Sequence, residues 1–361
     1  MFYCDPIKIA EMIRPRMMKD GRYLVSKIAG AGQDPGERKI LDEYFRYKEY
    51  IDNDEWLSVE AEKRWDPVFL GLADSYENRP VQEARKLEFQ NPAYSAAYNL
   101  KGDPKDYNKV FTVQAAGCDF DCNYCFVPKK LNAADPSLGK YFSAKDIVKH
   151  FLLARSRSKD PMNVLRLSGG NPTIVPEMIL DVYRAMKDMK ADAYLWVDSN
   201  LSTYRYMEAL GKDFKEMLGQ KDIGVVGCSK GVCADDFSLI SGASPDHYKQ
   251  QFETMRWFLE QRTDFYIYLP ALVYGENVEE KMAWFATELK NIDRVLPLRV
   301  EMLSVIDYPG AKINFERAGK LGRAMPKTDQ RLVFDVWYNK ILPSFYSKKD
   351  LEKYCCQCFL Y

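Results

Sequence analysis

Cys118, Cys122 and Cys125 stand at C-x3-C-x2-C in the stretch Gly117-Cys118-Asp119-Phe120-Asp121-Cys122-Asn123-Tyr124-Cys125-Phe126. A four-iron cluster held by three thiolates keeps an open position on its fourth iron, which a substrate-like ligand can occupy. Soft thiolates select such iron–sulfur chemistry over hard cations. Two plainer readings stand beside it: three ordinary cysteines in a polar turn, and a zinc site short of one ligand. A second motif weighs against both. Leu167-Ser168-Gly169-Gly170-Asn171-Pro172 follows at a sensible distance, and paired glycines let a ligand approach the backbone and expose amides and carbonyls to it.

Two further constellations fall at the ends of apolar runs. Trp196-Val197-Asp198-Ser199-Asn200 is either a ligand-facing polar cluster or a polar strand-to-helix turn. Ser229-Lys230-Gly231 places a lysine where, if buried, it is costly without an anion. The remaining cysteines are Cys4, Cys228, Cys233, Cys355, Cys356 and Cys358. Nine cysteines, an odd number in clusters, suit metal binding in a reducing compartment better than a disulfide framework. Cys355, Cys356 and Cys358 with Cys228 or Cys233 are candidates for a second iron–sulfur cluster, although adjacent cysteines ligate one cluster awkwardly. Free buried thiols are the plain alternative. Cys228 and Cys233 are also candidates for donating a hydrogen atom or binding substrate. Only two histidines are present, His150 and His247, which disfavours a histidine-built zinc site.

Alternating strands and helices must position these motifs. Lys109-Val110-Phe111-Thr112-Val113 reads as the strand that delivers the cysteine loop. Ser143 can cap a helix with Ile147, Val148, Phe151 and Leu152 on one face. Further strands are expected at 164–167, 193–197, 223–226, 265–269 and 298–303. Helices are expected at 178–189 and 204–218, after Ser244-Pro245, after an Asn277/Glu280 capping box, and near 330–341. Six such alternations argue for an α/β fold with a parallel sheet and helices outside. Periodicity alone does not separate a closed barrel from an open sheet. Before about residue 106 the chain reads as mostly helical with breaks at Asp34-Pro35-Gly36 and Asn91-Pro92. Ala29-Gly30-Ala31-Gly32 lacks the lysine of a phosphate loop and reads as a plain loop.

The cysteine stretch, with Tyr124 before its third cysteine, resembles the signature of the radical S-adenosylmethionine (radical SAM) superfamily. The 168–172 turn resembles that superfamily's Gly-Gly-Glu-Pro motif, with Asn171 in place of the acidic residue. Asp198-Ser199-Asn200, Ser229-Lys230-Gly231 and the stretch 236–242 resemble the glycyl-radical-enzyme activases, a subgroup of it. The resemblance covers about residues 107–305. It implies a partial (β/α)6 TIM-like barrel with its chemistry at the carboxyl ends of the strands. It divides the chain into an amino-terminal extension (1–106), the radical SAM barrel (107–305) and a short carboxyl-terminal extension with a cysteine-rich end (306–361). It implies that Cys118, Cys122 and Cys125 hold a [4Fe–4S] cluster and that Tyr124, Ser168, Gly169, Gly170, Asn171, Asp198, Ser199, Asn200 and Lys230 contact S-adenosylmethionine. Reductive cleavage to a 5′-deoxyadenosyl radical and hydrogen-atom abstraction would follow. The activase-like motifs favour a peptide or protein substrate. RNA, a small metabolite, and a non-catalytic electron carrier are the rivals. An electron donor such as flavodoxin or ferredoxin is implied as a partner.

Composition bounds the rest. Hydrophobic residues make up 47%, a globular proportion. Lys plus Arg and Asp plus Glu are 52 each, so no net charge draws the chain to nucleic acid or an anionic membrane. The first residues carry no basic region followed by an apolar one, and no apolar run is as long as a membrane span. The expectation is a soluble, cytoplasmic protein in an anoxic or protected setting.

Overall fold

The computed structural model describes residues 3–26, 49–50, 58–60, 93–107, 109–303, 305 and 309–351. Cys355, Cys356 and Cys358, the Ala29–Gly32 turn and both expected amino-terminal breaks lie outside them. Eleven strands form one sheet among the described residues. They are β1 (Met18–Lys19), β2 (Arg22–Ser26), β3 (Glu49–Tyr50), β4 (Ser58–Glu60), β5 (Val110–Ala115), β6 (Gly139–Phe142), β7 (Val164–Gly169), β8 (Tyr194–Ser199), β9 (Ile223–Cys228), β10 (Asp264–Pro270) and β11 (Val300–Leu303).

Six of them, β5-β7-β8-β9-β10-β11, pair in parallel in that order. Among the described residues β5 does not pair with β11, so the sheet is open. This is the mixed α/β core of an open (β/α)6 arrangement. Parallel strands need crossovers, and helices supply them. The principal helices, of which α3 to α7 lie between parallel strands, are α1 (Pro6–Met17), α2 (Ala93–Leu100), α3 (Ala144–Arg157), α4 (Pro176–Asp188), α5 (Ala234–Ser241), α6 (Tyr248–Glu260), α7 (Val278–Ile292) and α8 (Pro309–Lys320).

Local chemistry explains some starts. Ser143 and Asp146 form a reciprocal capping box that opens α3. Two expectations fail. Asn277 makes no side-chain cap at the start of α7, so the Asn277/Glu280 box does not form. The helix expected over 204–218 is two, Tyr204–Glu208 and Lys212–Leu218, broken where Gly211 takes a φ of 73°. That left-handed conformation interrupts the helical ladder. The segment before the barrel also contributes strands. β2 pairs antiparallel with β5 and β6, and β4 with β5. Helical spacing gave no sign of them, because short edge-capping strands carry little periodicity; they satisfy the backbone groups on the edge of β5.

Alternation along the strands sorts two cores. Phe111, Leu165, Leu195, Val225 and Ile267 face the outer helices in the main core. Tyr194, Trp196, Val226, Tyr266 and Tyr268 face the other way and form a second core with Ala96 and Ala97 of α2. This inner face is aromatic near the amino ends of the strands. It turns polar towards their carboxyl ends, with Gln114, Arg166, Ser168 and Asp198.

The amino ends are sealed by one buried network. Asp264 accepts from Asn99 Nδ2 at 2.6 Å, from Tyr194 Oη at 2.7 Å, and from Ser95 Oγ. Its other oxygen pairs with Arg299, which also donates to the Phe265 carbonyl at 2.7 Å and lies 3.9 Å over the Tyr266 ring. Removing one partner of a buried pair leaves the other charge uncompensated, at about 3–5 kcal/mol. Asp264→Ala is therefore expected to lower unfolding free energy by roughly that amount in denaturant melts; a loss below 1 kcal/mol would show that the network does not hold the seal.

Candidate active site

The polar, carboxyl ends of the strands gather every constellation singled out between residues 118 and 230. The cysteine loop leaves β5 and is held from two sides. Gly117 N and Cys118 N donate to the carbonyls of Leu131 and Asn132, both at 2.8 Å. Asp121 N and Asn123 N donate to Ser241 and Ile240 at the end of α5, at 2.8 and 2.9 Å. The loop is therefore fixed by backbone bonds that do not depend on any metal.

The paired glycines belong to the same assembly. Gly170 N donates to Ala115 O, and Asn171 N to Gly117 O, each at 2.8 Å. A Cβ on Gly170 would stand 1.8 Å from Gly117 O, and one on Gly169 2.8 Å from Ala115 O. The sequence reading gave these glycines the job of admitting a ligand. In the structure the backbone that comes close is the cysteine loop itself.

Asp119 is the hub beneath the loop and was not singled out in the sequence. It is fully buried and accepts from Asn171 Nδ2 at 2.9 Å, from Asn200 Nδ2 at 3.0 Å, and from Ser202 Oγ. Asn200 Nδ2 also reaches Cys118 Sγ at 3.2 Å. Asn171 Oδ1 accepts from Thr173 Oγ1 at 2.6 Å. Ser199 Oγ accepts from Leu201 N at 3.1 Å. Thus Asn171, Ser199 and Asn200 all bond within the protein, and Asn200 faces a cysteine sulfur.

Asp198 takes a bidentate pair from Arg166, at 3.1 and 2.9 Å, and a bond from Ser168 Oγ at 2.6 Å. Arg166 was also missed. Its signal was present: a lone charge two residues before Ser168 in an otherwise apolar strand shares that residue's face. Cys228 lies on this inner face, in register with Tyr268 of β10. Cys233 does not. It lines a cavity of about 610 Å3 with Tyr248, Phe252 and Trp284 on the outer helices α6 and α7.

Residues 309–323, to which the sequence assigned no role, pack on the outside of the cysteine loop. Asn314 Nδ2 donates to Cys125 O. Arg323 donates to Asp121 O at 2.9 Å and to Asp121 Oδ2 at 2.6 Å. Lys129 also pairs with Asp121, at 3.0 Å.

Charge in the site is set by burial. Burial pushes the Cys122 thiol up to about 12, against the pull of Lys230. Burial, then Asp119, raises Cys118 well above its usual value. Burial raises Cys125, opposed by the Val127 amide that donates to its sulfur at 3.4 Å. Without a cation all three are therefore thiols at neutral pH. A bound metal centre would have to displace their protons, as coordinating metals do. Among the described residues no three His, Cys, Asp or Glu side chains are arranged to hold one metal ion. The donor set fits a larger cluster: three thiols on one fixed loop, with N–H donors already aimed at two of the sulfurs.

Lys230 follows β9 and is 4% exposed. Burial pulls its ammonium towards the neutral form, but Tyr124, Cys228 and Cys122 raise its pKa well above the lysine value. Its Nζ lies 5.8 Å from the centre of the Tyr124 ring. No carboxylate pairs with it among the described residues.

The sequence pattern of the Radical SAM superfamily matches residues 113–283 of this chain. No curated protein matches it. Among solved structures, the chain is similar to Streptococcus suis SuiB. The structure of SuiB bound to precursor peptide SuiA matches with a TM-score of 0.40 and 17% identity over 59% of this chain and 44% of that one, under half its length. SuiB bound to S-adenosylmethionine matches with a TM-score of 0.40 and 13% identity over 85% and 69%. SuiB alone matches with a TM-score of 0.39 and 14% identity over 92% and 77%. Among the described residues no helix is long and apolar enough to cross a membrane.

The Gly170–Gly117 contact has a direct consequence. Gly170→Ala forces two backbones apart and is expected to cost about 3 kcal/mol or more. Iron retained after anaerobic reconstitution should fall with the melting temperature, and a variant with wild-type stability and iron content would refute the contact.

Proposed function

We propose that this chain is a radical SAM enzyme in which Cys118, Cys122 and Cys125 hold a [4Fe–4S] cluster. The carrying observation is that the cysteine loop, the 169–171 turn and the buried Lys230 meet at one end of the sheet, within the stretch that matches the superfamily. With cluster and S-adenosylmethionine bound, one-electron cleavage of the sulfonium supplies a 5′-deoxyadenosyl radical that abstracts hydrogen from a substrate.

The protein's own residues bind, orient and exclude water. Lys230 offers a buried ammonium to a carboxylate, a charge-assisted contact that needs no competing water. Asn171 lacks the charge of the acidic residue it replaces. That charge sits one hydrogen bond away on Asp119, close enough to favour an ammonium group at the 169–171 turn. Asp198 is fixed by Arg166 and Ser168 and keeps lone pairs free for a ribose hydroxyl. Tyr124 packs beside Lys230 and offers a ring to the adenine. Cys228, on the inner face, is positioned towards substrate, whereas Cys233 lies on the outer side.

For substrate we favour a polypeptide. The support is the activase-like pairing of Asp198-Ser199-Asn200 with Ser229-Lys230-Gly231 at successive strand ends. Anaerobically reconstituted protein with S-adenosylmethionine and dithionite should form 5′-deoxyadenosine. Cys122→Ala should abolish it, and Lys230→Met should raise the apparent KM for S-adenosylmethionine roughly tenfold or more, the value of one charged hydrogen bond. Stimulation by cell-extract fractions should disappear after protease and survive nuclease. No deoxyadenosine from cluster-loaded protein would sink the enzyme reading; stimulation lost only to nuclease would sink the polypeptide.

A further inference from the structure

Electrons have to reach the cysteine loop from outside the protein, and the inner face of the sheet is the side given to ligand and substrate. The outer side of the loop is covered by α8 and the turn that follows it, residues 320–327. This turn is tied to the loop at several points. Arg323, 5% exposed, donates to the backbone and carboxylate of Asp121, the residue before Cys122. Arg323 O accepts from Asn123 Nδ2 at 3.4 Å, the residue after it. Tyr274 Oη spans the two, accepting from Asn123 Nδ2 at 2.7 Å and donating to Ala324 O at 2.9 Å.

The same turn presents apolar surface to solvent. Leu321 is 55% exposed and Met325 40% exposed, on either side of the inward-pointing Arg323. A single exposed Leu is ordinary. Two large exposed apolar side chains flanking, in sequence, an arginine bonded to the cysteine loop are less ordinary. Around the patch the charge is one-sided. From 309 to 329 the chain carries Lys312, Arg317, Lys320, Arg323 and Lys327 against Glu316 and Asp329. Arg317 and Arg323 pair with Asp121, while Lys312, Lys320 and Lys327 are exposed and form no salt bridge among the described residues.

We propose that the 320–327 turn docks an acidic one-electron carrier protein, with Leu321 and Met325 at the centre of the contact and Lys312, Lys320 and Lys327 at its rim. The inference rests on the radical SAM reading, whose chemistry consumes one electron per cleavage. Three features fit such a partner. A small apolar centre suits the low end of interface sizes, where transient redox complexes fall. Unpaired lysines at the rim steer an acidic partner and speed encounter without tight binding. The bonds from Arg323 to Asp121 put the docked carrier against the loop that holds the cluster, and electron tunnelling falls steeply with distance. The step balances simply: the carrier loses one electron, the cluster gains it, and no bond or proton changes hands.

The test uses full-length reconstituted protein and a photoreduced flavodoxin as the probe. Bleaching of the iron–sulfur absorbance is followed by stopped flow, in parallel with reduction by dithionite. For wild type the flavodoxin rate should fall as salt rises. Lys320→Glu/Lys327→Glu should slow it about tenfold or more at low salt, and Leu321→Ser/Met325→Ser should slow it at every salt concentration. Dithionite rates and iron content should stay at wild-type values in both. Flavodoxin rates equal to wild type in both cluster-loaded variants would overturn the surface, even with deoxyadenosine forming normally under dithionite. Slowing of both reductants alike would also overturn it, by assigning the effect to the cluster. If polypeptide-stimulated turnover under dithionite falls instead, the patch belongs to the substrate. A wild-type protein that takes up no cluster overturns this inference and the reading beneath it together.

Discussion

Two backbone hydrogen bonds carry the architecture of the site: Gly170 N to Ala115 O and Asn171 N to Gly117 O. They lock the loop after β5 to the turn after β7 at a separation that excludes any side chain at residue 170. Everything that gives the cysteines a fixed address depends on that approach. The thiols sit on a loop with no secondary structure of its own, and soft ligands on a mobile loop would pay an ordering cost at each binding event. Backbone bonds to Leu131, Asn132, Ser241, Ile240 and Asn171 remove most of that cost beforehand.

Two acids in the loop divide its surroundings into an inside and an outside. Asp119 points into the protein and organises Asn171, Asn200 and Ser202. Asp121, two residues on, faces the carboxyl-terminal segment and collects Arg323, Lys129 and Arg317. Among the described residues the inner acid has amide and hydroxyl donors and no cation partner, which leaves it a site that a cationic ligand group could complement. The outer acid is neutralised several times over, leaving positive charge on the surface. A single two-residue step in sequence thus sets opposite electrostatics on the two faces of one loop.

The core of the site was legible because its signals are local. Spacing within 118–125, adjacent glycines at 169 and 170, and strand-end polar clusters at 198–200 and 229–231 all fall within one turn or strand end. The six alternating strands were legible for the same reason, as apolar runs bounded by capping and turn residues. What could not be read is what long-range packing decides. Asp119 and Asp121 look like ordinary loop polarity until Asn171 and Arg323 arrive from 52 and 202 residues away. The strands β2 and β4 are held by long-range pairing with the edge of β5. Cys228 and Cys233 looked equivalent, five residues apart, yet the turn between them sends one to the inner face and the other to the outer helices.

The inner face itself imposes a direction. At the amino ends of the strands, Asp264, Arg299, Ser95 and Asn99 satisfy one another, and the Tyr194, Trp196 and Tyr266 rings fill the space above them. The Asp264–Arg299 pair leaves this end neutral and largely bonded within itself. Further along the same face, Thr112 Oγ1, Gln114 Oε1 and Tyr268 Oη are buried without a hydrogen-bond partner among the described residues. Unsatisfied buried groups cost on the order of 1–3 kcal/mol each, and the fold carries that cost at these three positions. A ligand that bonds to them recovers part of that cost, and one that enters from the sealed end cannot. The polarity gradient along these strands, more than any one residue, therefore makes the end that carries the cysteine loop the end with polar groups to offer a ligand.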